Sequence, residues 1–141
     1  MQRRDFLKAT CRLCLLGTAG LLVTQTGCAP ATGNAIYKTA ISNNEVEVPL
    51  ALFDKAPLQY IRPNGWYYDI AVQKNQDGFT ALLMQCTHQN NQLTLSGDTY
   101  YCNLHGSTFD KNGQVKKGPA EEPLKKYKTT VKQNNLIIQI A

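Results

Sequence analysis

Past residue 34 the chain alternates short apolar runs with turn residues, and no window there sustains a 3.6-residue apolar period. The runs at residues 36–41, 46–53, 66–72, 79–84, 127–131 and 136–140 are rich in β-branched and aromatic side chains, and each is predicted to be a strand. Leu136, Ile138 and Ile140 fall on one face of the last strand, and Tyr127, Thr129 and Val131 on one face of the strand before it. Asp77-Gly78, Asn112-Gly113 and Asn134-Asn135 accept positive φ and are expected to close tight hairpins. The expectation is an all-β, antiparallel domain ending in a hairpin, with no internal repeat and no low-complexity tract.

The first residues follow another pattern. Arg3, Arg4 and Arg12 precede a short apolar run at residues 13–23, and small residues follow, the three parts of an export signal. A membrane-crossing helix needs about 20 apolar residues, so the run is read as a signal rather than a span. Arg3-Arg4-Asp5-Phe6-Leu7-Lys8 resembles the twin-arginine export motif, with Gln2 where Ser or Thr is usual, and that pathway moves folded proteins. Thr26-Gly27-Cys28 resembles the end of a bacterial lipoprotein signal, with Gln25 in a place that is usually apolar. This divides the chain into a signal (1–27), a tether (28–33) and a domain (34–141), with Cys28 lipidated on the periplasmic side of a bacterial membrane. An ordinary cut near Ala29-Pro30-Ala31 and an uncleaved anchor are the competing readings. Cys11 and Cys14 lie within the apolar run and are read as small hydrophobic residues.

With 43% apolar and 18% charged residues, the composition excludes a disordered chain. Of the formal charge of +5, the first 27 residues carry +3, which leaves the domain close to neutral. No basic face interleaved with aromatic residues and no nucleic-acid motif accompanies it, so nucleic acid is excluded as a partner.

The candidate chemistry sits in Cys86-Thr87-His88 and Cys102-Asn103-Leu104-His105. The chain has only two His, and each lies within three positions of a Cys. Thiolate with imidazole suits zinc or iron–sulfur chemistry rather than calcium or magnesium. A mononuclear zinc site usually takes its thiolates from one segment and its imidazoles from another, whereas here each segment offers one of each. That mixed delivery fits a binuclear cluster with two Cys on one iron and two His on the other, and a structural zinc module is the alternative.

C-x-H followed after thirteen residues by C-x-x-H resembles the signature of the Rieske family. The resemblance implies an all-β Rieske-like fold with two cluster-binding loops at one tip, and one [2Fe-2S] cluster held by Cys86, His88, Cys102 and His105. It continues through Gly106-Ser107-Thr108-Phe109-Asp110, Gly113, Gly118-Pro119-Ala120 and Pro123-Leu124, which look like the second loop and the proline-containing loop covering the cluster. Ser107 stands where high-potential relatives have a hydroxyl donor, and Phe109 where they have Tyr, so the resemblance implies a potential well below the roughly +300 mV top of the Rieske range. Asn91 and Leu104 occupy the places of two further Cys that form a disulfide in quinol-oxidising members. The loops are therefore expected to be held by packing. Asn90 replaces a usual Gly, and Asn tolerates positive φ well. Gln89 replaces an apolar tip residue.

No triad of two His and a carboxylate is left over for a mononuclear iron, so the expected role is one-electron carriage rather than catalysis. The alternative is the Rieske subunit of a larger oxidoreductase, of quinol–cytochrome or arsenite-oxidase type. Redox proteins are the expected partners. Lys111, Lys116, Lys117, Lys125, Lys126, Lys128 and Lys132 suit either steering of an acidic partner or simply solvated strands.

Overall fold

The computed structural model describes residues 35–141, so the expected signal, tether and Cys28 lie outside the described residues. Twelve strands run β1 (Ile36–Thr39), β2 (Ile41–Ser42), β3 (Glu45–Pro49), β4 (Leu58–Pro63), β5 (Ile70–Asn75), β6 (Gly78–Leu83), β7 (Thr94–Ser96), β8 (Thr99–Tyr101), β9 (Thr108–Phe109), β10 (Val115–Lys117), β11 (Lys126–Lys132) and β12 (Asn135–Gln139). A short 3-10 helix, Leu50–Asp54, follows β3. An eight-stranded sheet has the order β1-β4-β5-β6-β11-β12-β3-β2, and a four-stranded sheet has the order β10-β9-β8-β7.

The all-β expectation holds, with corrections in detail. β1 pairs with β4 in parallel, so the described sheets are antiparallel-rich rather than wholly antiparallel. The run at 46–53 leaves the sheet at Pro49, and the run at 66–72 becomes strand only from Ile70. The strand Leu58–Pro63 was not expected, because Gln59 and Arg62 interrupt its apolar pattern.

Turn chemistry sets the registers. Gln76-Asp77 joins β5 to β6 with Gly78 at φ +134°, and the ladder then runs from Asn75–Gly78 to Ile70–Leu83. In the last hairpin the positive φ belongs to Gln133, at +53°, and not to the Asn134-Asn135 pair, since Asn135 already pairs with Lys132. Asn43 and Asn44, at φ +50° and +60°, close β2 onto β3 in the pattern of a type I′ turn.

Two hydrophobic cores result. One gathers Val46, Val48, Ile61, Ile70, Leu136 and Ile138 with their neighbours, and the other gathers Tyr60, Leu82, Met84, Leu93, Tyr100 and Phe109. The period of two along β4, β5 and β6 divides them: Ile61, Val72 and Ala81 serve the first, while Tyr60, Ala71 and Leu82 serve the second. A strand with a core on each face reads as nearly continuous hydrophobic sequence. β12 likewise buries Leu136, Ile137 and Ile138 in succession, while Val131 of β11 is 51% exposed.

Candidate metal centre

Cys86 and Cys102 belong to the second core, each 1% exposed. The loop between β6 and β7 is pinched at its base by a bridge between Gln85 and Gln92, and by Leu93 N–H donating to Met84 O at 3.0 Å. Within it, Cys86 N–H donates to Asn91 O at 2.8 Å, which turns the chain sharply enough to put Asn90 at φ +30°. The expected tolerance of Asn at that place is thus used. Gln85 Nε2 donates to Asn90 Oδ1 at 2.8 Å, and the Tyr68 hydroxyl donates to Asn90 O.

The loop between β8 and β9 is built on the same plan. Cys102 N–H donates to Ser107 O at 2.9 Å and Gly106 N–H to Cys102 O at 3.0 Å, with Gly106 at φ +81°. The thirteen residues between the two motifs form a strand out, a turn at Gly97-Asp98 and a strand back, as expected, with Ser96 opposite Thr99. This brings the loops side by side. The thiols point inward, and the exposed imidazoles of His88 and His105 meet edge to face with ring centroids 4.9 Å apart at 80°.

A third loop closes on both. The Gly118–Pro119 peptide is cis, Ala120 N–H donates to the buried Ser107 Oγ at 3.0 Å, and Thr87 Oγ1 donates to Glu122 O at 2.7 Å. Ser107 therefore pins the proline loop as an acceptor and retains its own hydroxyl hydrogen to donate. Phe109 is fully buried opposite Tyr100 and brings no hydroxyl. The β9–β10 turn is held by Asp110 Oδ1, which accepts from Asn112 and Gln114 N–H at 2.8 and 2.9 Å. Gly113 in that turn has φ +84°, and a Cβ there would stand 3.0 Å from Leu82 Cδ2 and 3.1 Å from Leu124 Cβ, so both conformation and space demand glycine.

Packing alone does not hold the two motif loops, and here the sequence expectation is corrected. Asn91 Nδ2 donates to Asn103 Oδ1 at 2.7 Å, a direct polar tie from loop to loop. Thr87, Asn91 and Asn103 were missed as clamps because their partners lie 35 and 12 positions away, and nothing local in sequence marks such a pairing.

The donor set fits an iron–sulfur group. Both cysteines of the described residues are free thiols. Burial pushes the Cys102 thiol up, but hydrogen bonding from the Leu104 and His105 backbone, together with the Cys86 and Asn91 side chains, outweighs it and holds the thiol below its ordinary value. Buried thiols inside and imidazoles at the rim suit two metal ions with different ligands. Among the described residues, no three His, Cys, Asp or Glu side chains close on a point as the ligands of a single ion do.

Residues 47–128 match the Rieske [2Fe-2S] domain, and the chain belongs to that family. Its cofactor is accordingly one [2Fe-2S] cluster, and its chemistry is electron carriage. The cytochrome b6-f complex iron-sulfur subunit of Synechococcus elongatus is 30% identical over 98% of this chain and 83% of that subunit. The cyanobacterial plasma membrane Rieske protein from Synechocystis PCC 6803 superposes with a TM-score of 0.53 at 26% identity, covering 64% of this chain and 93% of that one. A chain from the complex of reduced oxygenase and oxidized ferredoxin in carbazole 1,9a-dioxygenase gives 0.52 at 26% identity, over 70% of this chain and 94% of that one.

Proposed function

We propose that Cys86, His88, Cys102 and His105 are the cluster ligands, and that the chain passes single electrons between redox proteins at the outer face of a bacterial membrane. The observation that carries this is the arrangement of two buried thiols beneath two exposed, mutually contacting imidazoles. When bound, the cluster supplies a one-electron couple. The chain's own residues do the rest: the thiols sit in a dry core, and the imidazoles are the part of the site that a partner can reach. Ser107, with a hydroxyl hydrogen free, is the donor expected to favour the reduced form. Gly118 and Pro119 shape the loop that shields the site from water.

The test is the ligand set. The reconstituted protein should contain two irons and two acid-labile sulfides per chain and be reddish-brown, and His88→Ala or His105→Ala should abolish the Rieske electron paramagnetic resonance signal. A colourless protein holding only zinc, or normal spectra from both variants, would falsify the assignment.

The relatives that are subunits of cytochrome b6-f complexes support a second, finer reading, in which this carrier works within a membrane oxidoreductase complex. The expected division into a signal (1–27), a tether (28–33) and a domain (34–141) fits that role, with lipidated Cys28 as the anchor. Among the described residues, no helix is long and apolar enough to cross a membrane. Cys28→Ser should release the protein from membranes after lysis, and continued attachment would point to an uncleaved anchor instead.

A further inference from the structure

Asn91 touches the segments of both cysteines at once. Its carbonyl accepts from Cys86 N–H at 2.8 Å, while its side-chain nitrogen lies 2.7 Å from Asn103 Oδ1, 3.7 Å from Cys102 Sγ and 3.2 Å from Gln92 O. A carboxamide nitrogen carries two hydrogens, so it can serve the second loop twice, once at the Asn103 carbonyl oxygen and once at the sulfur. The side chain is half-buried between the loops, where such bonds are stronger than in open water.

We propose that Asn91 is a positioning residue with two separable tasks: it clasps the two loops through Asn103, and it donates an N–H to the Cys102 sulfur, which favours the reduced centre. This rests on Cys102 being a ligand, as proposed above. Adding an electron makes a ligand sulfur more negative, so a donor aimed at it binds the reduced state more strongly than the oxidised one. The clasp is made of amide groups alone, so thiol reductants leave it closed.

Three measurements on the reconstituted full chain test this. Asn91→Leu is close in shape, neutral and without a donor. It should shift the reduction equilibrium about threefold to tenfold toward the oxidised form, about 30 to 60 mV at 59 mV per tenfold, and should speed the loss of visible absorbance in a chelator. Asn103→Ala removes only the acceptor of the clasp, so it should speed that loss while the potential stays within about twofold of wild type. With side-chain 15N-asparagine in the Asn103→Ala background, the reduced centre should show 15N hyperfine coupling, a readout that does not depend on Asn91→Leu folding. An unchanged potential in Asn91→Leu, or no 15N coupling, overturns the donor role, and wild-type cluster retention in Asn103→Ala overturns the clasp. A wild-type protein without a two-histidine Rieske spectrum would instead overturn the ligand assignment itself.

Discussion

The two sheets are held together differently. In the eight-stranded sheet, β5 and β6 share six paired positions and β11 and β12 share five, over a core of Val, Ile and Leu. In the four-stranded sheet no strand exceeds three residues, and much of the hold comes from turns and side-chain hydrogen bonds: Asp110 to its own turn, Thr87 and Ser107 to the proline loop, Asn91 to Asn103. Long ladders pair most backbone groups of the inner strands to their neighbours and leave few over for chemistry. Short ladders end early, and the freed loops can turn thiols inward and imidazoles outward, which is why the site lies on the less regular half.

That contrast is breakable. The largest effect is expected from the regular half: Ile138→Ala, at a fully buried position, should cost about 2 to 5 kcal/mol in urea unfolding and leave the visible spectrum of the folded protein unchanged. A shifted spectrum would show that the two halves are not independent.

The next effect belongs to the second core, where burial pushes Tyr60 and Tyr100 up to about 12, with the neighbouring Tyr100 and Asp69 charges adding at Tyr60. A folded value above the unfolded one of about 10 means that the folded state holds its proton more tightly. This stability is complete below pH 10 and is lost as pH rises toward 12, up to about 3 kcal/mol per tyrosine. The Tyr60 hydroxyl has no hydrogen-bond partner among the described residues, so Tyr60→Phe should cost nothing at neutral pH and should flatten the alkaline decline. An unaltered decline would assign it to other groups.

The smallest effect sharpens the site. Phe109→Tyr adds one hydroxyl to the fully buried wall of the second core and should raise the potential by some tens of mV, given that a hydrogen bond to a charged group is worth about 1.5 to 3 kcal/mol and only part of it differs between redox states. A Tyr variant that keeps the wild-type potential would show that position 109 does not tune the site.

The lysines settle into local roles. Lys111 pairs with Asp98 at 2.7 Å on the open surface, Lys132 with Glu45 at 3.7 Å, and Lys125 lies 5.0 Å over the Tyr127 ring. Lys126 and Lys128 stand exposed on β11 between inward-facing residues, as on a solvated strand.

Much of the site was legible in the sequence. Metal chemistry restricts the residue types so sharply that two His, each within three positions of a Cys, mark a candidate centre before any fold is known. The strands 79–84 and 136–140 were legible too, because β-branched runs between turn residues leave few alternatives. Leu58–Pro63 was not, since Arg62 breaks its apolar pattern, and the two bonds it makes to Asp69, at 2.7 and 2.9 Å, reach across to a residue seven positions on. What only the tertiary structure decided is which polar side chains close the site. The sequence by itself determined that Cys86, His88, Cys102 and His105 form two pairs. That Asn91 would reach Asn103, Thr87 reach Glu122 and Ser107 take the Ala120 N–H depended on three loops arriving at one place, because a hydrogen bond is set by distances of about 3 Å between groups whose separation along the chain carries no trace of it.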